Sequence, residues 1–355
     1  MGKNELKKTK WSILICVILL LAIGFTALYS ATIASNFGEL KKQIIWLVVS
    51  IPIFIIVYKI DYRIIARFAL PLYIVSNVLL IFVLLTKAIN GATSWFNLGS
   101  FSLQPGEFAK IFVIMYAAVM LEKITSKGRN YVNKPLNLLM ISGIVLLPVL
   151  LIVLQPDYGT AVSYILALVL MLFVAGIDKK YIFIAITLMI IILPLLYFFV
   201  LPAHAKDRIN VYLNPYLDPR GAGYNIIQSK LAVGGGRLLG QGYLKGTQTH
   251  LGFLYPKTTD FIFAVIGEEI GFIMCTAIVI TYVIMLTKCI TVAKTAEDEL
   301  GSYLAIGLSR CTPIPCGRKY RNDNRLASNN RSTTSIYKLW RKLTYYKYDN
   351  DCFNT

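Results

Sequence analysis

Residues 246–271 read G-T-Q-T-H-L-G-F-L-Y-P-K-T-T-D-F-I-F-A-V-I-G-E-E-I-G, a polar, glycine-marked stretch that turns apolar at Asp260. It closes a long hydrophilic loop that begins at Pro202. Upstream lie apolar runs at 11–34, 43–58, 68–86, 108–122, 136–154, 158–176 and 181–201, and an eighth follows at 261–287. Most approach the ~20 residues needed to cross a hydrocarbon core of ~30 Å. The expected fold is an all-α polytopic membrane protein with about eight transmembrane helices and a large outer loop, 202–260, before the last long helix.

Composition agrees. Of 355 residues 56% are hydrophobic and 15% charged. The net charge of +18 could suit nucleic acid, but the Lys and Arg fall in short clusters between apolar runs, so no nucleic-acid partner is expected. The six Cys form no C-x-x-C pair and there are two His, which supports neither a disulfide framework nor a structural metal. The basic stretch Lys3–Lys10 ahead of the first apolar run marks an uncleaved first helix with its N-terminus inside.

Alternating the sides from there puts fifteen Lys and Arg on inner segments against three on the short outer ones. The bias fits the positive-inside rule, and the long loop 202–260 falls outside.

Three outer stretches carry chemistry. In 90–110, N-G-A-T-S-W-F-N-L-G-S-F-S-L-Q-P-G-E-F-A-K, the Asn90-Gly91, Gly99 and Pro105-Gly106 positions predict turns, so a folded loop. Trp95 is either an interface aromatic or a functional one. Glu107 and Lys110, three apart at a helix head, share a face and can pair at membrane depth. The plainer alternative is a helix-start Glu and a snorkelling Lys. In L-Q-P-D-Y-G-T, 154–160, Pro156 ends one helix and Asp157 is placed to cap the next.

The long loop brings His204, Lys206, Asp207 and Arg208, then a segment 224–233 with helix-like apolar spacing, read as an amphipathic helix lying on the membrane. Gly234, Gly235, Gly236, Gly240 and Gly242 fit no dinucleotide fingerprint and read as a flexible hinge. Asp260 is a candidate N-cap or a candidate functional acid. Glu268 and Glu269 are two acids at membrane depth that need partners.

T-S-W-F-N-L-G…Q-P-G-E-F-A-K, Q-P-D-Y-G-T, G-Y-N-I-I-Q-S-K…G-T-Q-T-H-L-G-F-L and T-D-F-I-F-A-V-I-G-E-E-I-G together resemble the RodA/FtsW (SEDS) family, with T-Q-T-H-L-G-F-L leaning to the RodA branch. The resemblance covers about residues 10–308 and implies a bacterial peptidoglycan glycosyltransferase. Such proteins polymerise lipid II into glycan strands at the outer face of the cytoplasmic membrane, beside a class B penicillin-binding protein that cross-links them. It matches Asp260 to the family's essential outer acid and Trp95 to its functional Trp. Glu107 and Lys110 match its buried pair, and Asp157 its Q-P-D acid.

The chemistry asks for such a set. A carboxylate near the acceptor sugar hydroxyl can take its proton during attack, the role expected of Asp260. The departing pyrophosphate needs positive charge from Lys110, Arg208 or Lys230, or from a divalent cation. Two rival classes stand beside this one: a lipid-linked precursor flippase or transporter, and a non-catalytic scaffold for a cell-wall synthase.

Residues 309–355 depart from the pattern, with ten Lys and Arg against three Asp and no membrane-length run. The resemblance implies about two more helices here. Leu339-Trp340-Arg341-Lys342, written TTA-TGG-AGG-AAG, yields Tyr-Gly-Gly when read one base onward. Lys319 to Leu326 similarly yields Asn-Ile-Gly-Met-Thr-Ile-Gly. The expectation is a frameshift near 308–315, a transmembrane domain over 1–308, a disordered basic tail over 309–355, and impaired activity of the chain as written.

Overall fold

The computed structural model describes residues 3–33, 37–86, 94–98, 101–200, 203–221, 223–254, 258 and 260–309. Of the tail expected over 309–355, Ser309 is described and helical, and the rest lies outside these residues. The protein is a helical, multi-pass membrane fold that, among the described residues, carries one small antiparallel strand pair.

Eight helices account for the expected crossings: α1 (Lys3–Thr32), α2 (Gly38–Lys59), α4 (Ala69–Leu84), α5 (Pro105–Thr125), α6 (Pro135–Leu154), α7 (Tyr158–Ala175), α8 (Lys179–Leu195) and α13 (Phe272–Lys294). Five of them, α1, α2, α6, α7 and α13, are long and apolar enough on their own to span a bilayer. Between α2 and α4 lies the single-turn α3 (Tyr62–Arg67), capped by Asp61 accepting from the Arg63 N–H.

α5 is the central pillar. Along it Val113, Ala117, Ala118 and Leu121 are wholly buried, which small and β-branched side chains allow by letting neighbouring helices approach. α4, α6 and α7 pack around it, and two hydrogen bonds between α4 and the α6 region fix depth. The Tyr73 hydroxyl donates to the Ile144 carbonyl at 3.0 Å, and the Gln155 amide to the Leu80 carbonyl at 3.0 Å. α2 is the opposite case: Ser50 is its one buried residue among those described, so the helix lies at the edge of the bundle.

A helix the sequence reading left out, α14 (Glu299–Ser309), inserts into this core. Leu304, Ala305 and Leu308 are fully buried, and a β-carbon on Gly307 would stand 2.6 Å from Ile114 and 2.8 Å from Met171. Its N-terminal end is anchored by Asp298. The Tyr62 hydroxyl donates to both Asp298 oxygens at 2.6 and 2.7 Å, and Arg63 pairs with the same carboxylate at 2.9 Å. Burial, and then the bond to Asp298, push the Tyr62 phenol well above its ordinary range.

Four expectations need correcting. The run 261–287 is two helices, α12 (Ile262–Glu269) and α13, separated by Gly271 at φ +92. A chain break at that depth is tolerated only where protein meets the freed backbone groups, and here it does. The Phe272 N–H donates to the Arg237 carbonyl at 3.0 Å, and Gln241 and Gly242 N–H groups donate to the Glu268 and Glu269 carbonyls at 2.9 and 3.0 Å.

The loop glycines are accordingly no flexible hinge. A β-carbon on Gly236 would fall 1.9 Å from the Gly267 carbonyl oxygen, and one on Gly240, at φ +84, 2.1 Å from that of Glu269. They are glycines because two backbones touch there. The segment 224–233 is helical, as α10 (Tyr224–Gly235), but it packs on α12 through Ala232 and does not merely lie on a membrane. Pro105 and Gly106 make no turn; they open α5, with Pro at the first position, where its missing N–H costs nothing.

Candidate functional site

Two polar clusters occupy helix ends, one at the starts of α5 and α7 and one about α12. The first joins the starts of α5 and α7. Lys110 Nζ lies 3.0 and 3.1 Å from the two Glu107 oxygens, with 1% and 3% of the two residues exposed, and 6.0 Å from the Tyr164 ring centre. The Tyr164 hydroxyl donates to the Gly106 carbonyl at 2.7 Å. Asp157 caps α7, accepting from the Thr160 N–H at 3.3 Å and hydroxyl at 2.9 Å, and also accepts from the Gln104 amide. The Gln104 Oε1 is buried with no hydrogen-bond partner.

In front of this cluster stands the hairpin β1 (Phe96–Leu98) and β2 (Phe101–Leu103), registered Phe96 to Leu103 and Leu98 to Phe101. Trp95 enters it half-buried, next to the buried Ser94. So the described part of the expected folded loop is an antiparallel strand pair leading into α5, while the turns expected at Asn90-Gly91 and Gly99 lie outside the described residues.

The second cluster gathers about α12. Glu268 is fully buried, and its carboxylate accepts from the Gln248 N–H at 2.6 Å, the Thr249 N–H at 3.0 Å and the Thr249 hydroxyl at 2.7 Å. Those donors begin the short turn α11 (Thr247–His250). Glu269, 2% exposed, accepts from the Ser30 hydroxyl of α1 and faces His250 Nε2 at 3.2 Å. Burial, followed by the Glu269 charge, raises the Tyr243 phenol above its ordinary range.

Asp260 stands exposed ahead of α12. The N-cap position of that helix falls on Phe261, which makes no side-chain cap bond. Behind Asp260, Phe261 packs with Leu254, Ala264, Val265, Ala232 and Ala31.

The structure thus brings Glu107, Lys110 and Asp157 into one bonded network. Lys110 faces Glu107 within the protein, which leaves it neutralised and not presented to an incoming pyrophosphate. Lys230 is exposed on α10. Arg208 lies in α9 (Ala203–Leu213), but its side chain is outside the described residues. Among the described residues no group of three or more His, Cys, Asp or Glu is placed to hold a metal ion. Sequence reasoning passed over Ser30, Gln104, Tyr164, Thr249 and His250. The signal for some of them was present, since two adjacent acids in an apolar helix require donors from elsewhere in the chain.

The profile of the family described as Cell cycle protein, FtsW/RodA/SpoVE, matches residues 10–314. The peptidoglycan glycosyltransferase MrdB of Escherichia coli (strain K12) is 33% identical over 316 residues, 87% of this chain and 84% of that protein. The probable peptidoglycan glycosyltransferase FtsW of Trichlorobacter lovleyi is 36% identical over 311 residues, 84% of this chain and 79% of that protein.

Among solved structures, a chain from a study of how a peptidoglycan synthase complex coordinates polymerization and crosslinking superposes with a TM-score of 0.76. Its identity is 22%, over 96% of this chain and 98% of that one. The rod-shape-determining protein RodA of Thermus thermophilus gives 0.65 at 20% identity, over 94% and 95%. These two likenesses are of fold. The fold is that of a polytopic membrane protein. The chain belongs to the FtsW/RodA/SpoVE family.

Proposed function

We propose that this protein is a peptidoglycan glycosyltransferase that polymerises lipid II into glycan strands at the outer face of the bacterial cytoplasmic membrane. Its N-terminus is inside, and it works with a class B penicillin-binding protein. The observation that carries the reading is Asp260, an exposed carboxylate set at the head of a helix whose other end is wholly buried. Relatives named as peptidoglycan glycosyltransferases support it.

In the reaction the acceptor sugar hydroxyl attacks the anomeric carbon of the donor. The carbon–oxygen bond to the lipid pyrophosphate breaks, and the pyrophosphate leaves with the electron pair. Asp260 accepts the hydroxyl proton as the new bond forms. Glu107, Lys110 and Asp157 hold the α5 and α7 ends in register, and Trp95 braces the hairpin or stacks on a sugar. Lys230 and Arg208 supply charge toward the pyrophosphate.

The frame after codon 308 is proposed to be displaced by one base, and the coding DNA decides it: early stops in the shifted frame defeat this proposal. The function is tested with purified protein in lipid, as written and with the frame restored, given lipid II. Glycan strands from the restored chain, and none from its Asp260→Asn variant, are expected. Strands from that variant overturn the assignment of the base; a restored, folded chain that makes none favours the scaffold or flippase alternative.

A further inference from the structure

The two acids Glu268 and Glu269 are not used in the reaction above, and their placement is costly. Both are buried at the C-terminal end of α12, where the helix dipole opposes negative charge. An apolar pair would pack there with less penalty. What the carboxylates add is direction. Glu268 receives the N–H groups of Gln248 and Thr249 and the Thr249 hydroxyl, and Glu269 receives Ser30 and faces His250. The carbonyls of the same two residues receive the N–H groups of Gln241 and Gly242. Two separate points of the outer loop are thereby pinned to one pair of residues.

The pinned turn leads back toward Asp260. The Leu254 N–H donates to the Gln248 carbonyl at 3.3 Å, and Leu254, 1% exposed, packs against Phe261, the neighbour of Asp260. α12 itself is a rod of about 12 Å joining the clamp to that acid. Gly246 is compelled by the same contact, since a β-carbon there would lie 2.8 Å from Glu268 Oε2.

We infer that Glu268 is a positioning residue for the proposed transfer: through the 247–250 turn and Leu254 it fixes where Asp260 stands relative to the outer loop. The inference rests on the function proposed for Asp260, but the clamp itself can be read without activity. Glu268→Gln keeps the shape of the side chain and turns one acceptor oxygen into an amino group facing an N–H.

The test uses the full chain in lipid nanodiscs, in the reading frame that polymerises. Amide hydrogen exchange is followed together with lipid II polymerisation. For Glu268→Gln, faster exchange confined to residues 247–251, on the order of tenfold, is expected, with α5 and α7 unchanged. A loss in kcat on the order of a hundredfold should accompany it, with KM moving about twofold or less.

Where Glu268→Gln fails to fold, Thr249→Val, which deletes one donor, takes its place, and Thr249→Ser should restore both readouts. Unchanged exchange at 247–251 overturns the clamp. Faster exchange with unchanged kcat overturns the positioning role while leaving Asp260 as base. An active Asp260→Asn control defeats the function reading instead, and with it the positioning role, and the exchange result still decides the clamp.

Discussion

Removing one member of the Glu107–Lys110 pair should be far worse than removing both. The two groups are 3% and 1% exposed and bonded at 3.0 and 3.1 Å, so neither can turn to water when its partner goes. Glu107→Gln strands an ammonium in the core, and Lys110→Met strands a carboxylate; each should cost about 3–5 kcal/mol of unfolding free energy. The double variant removes both charges and should come back to within about 1–2 kcal/mol of the parent, because the desolvation penalty vanishes with the attraction. The implied coupling is several kcal/mol, against about 0.5 kcal/mol for an exposed pair three or four residues apart on a helix. Unfolding titrations in bicelles on the four proteins of the cycle measure it. Single losses that simply add, within about 0.5 kcal/mol, would refute the buried-pair account and leave Lys110 available to a ligand.

Other outcomes follow from single contacts. Gly240→Ala should cost about 3 kcal/mol or more, from positive φ together with overlap on the Glu269 carbonyl, and lower the melting temperature in detergent. Gly24→Ala, with open space around it, should instead gain up to about 1 kcal/mol in the same scan. Tyr62→Phe should cost about 1.5–3 kcal/mol by taking a donor from the Asp298 carboxylate. Because the folded phenol ionises above its ordinary value of 10.0, its share of stability is complete below about pH 10 and lost as pH rises. The variant should therefore show a shallower alkaline loss, and an identical one would refute this. In a cysteine-free background, Leu251→Cys should react with an impermeant reagent from outside and Lys127→Cys should not; the reverse pattern would invert the topology.

The membrane fold was readable because its signal is additive: twenty apolar residues mark a span whatever they pack against. Where tertiary contact decides, the sequence was silent or misleading. The run 261–287 looks like one span because Gly267–Gly271 is short and apolar sequence flanks it on both sides, in spite of Glu268 and Glu269. Only the approach of residues 236–242 makes a break there permissible. The loop glycines read as slack, since a sequence cannot tell a glycine that moves from one that something presses against. α14 was missed because eleven residues fall below any membrane-length threshold, although they are among the most buried in the protein. For the site, Glu107 with Lys110 was legible from spacing alone, being local. Gln104 with Asp157, and Ser30 with Glu269, are separated by 53 and 239 residues, and nothing in the intervening sequence names such partners.

The split between α12 and α13 also sets an order of assembly. Every side-chain donor and facing His that meets Glu268 or Glu269 comes from earlier in the chain, from α1 or from residues 247–250. Until those are gathered, the two carboxylates have nowhere favourable to go, since neither lipid nor a half-formed bundle solvates them. α12 is therefore the keystone of this end of the bundle, seated after its abutments stand. A chain stalled before that step would carry a loop that is complete in sequence and without a fixed place for Asp260.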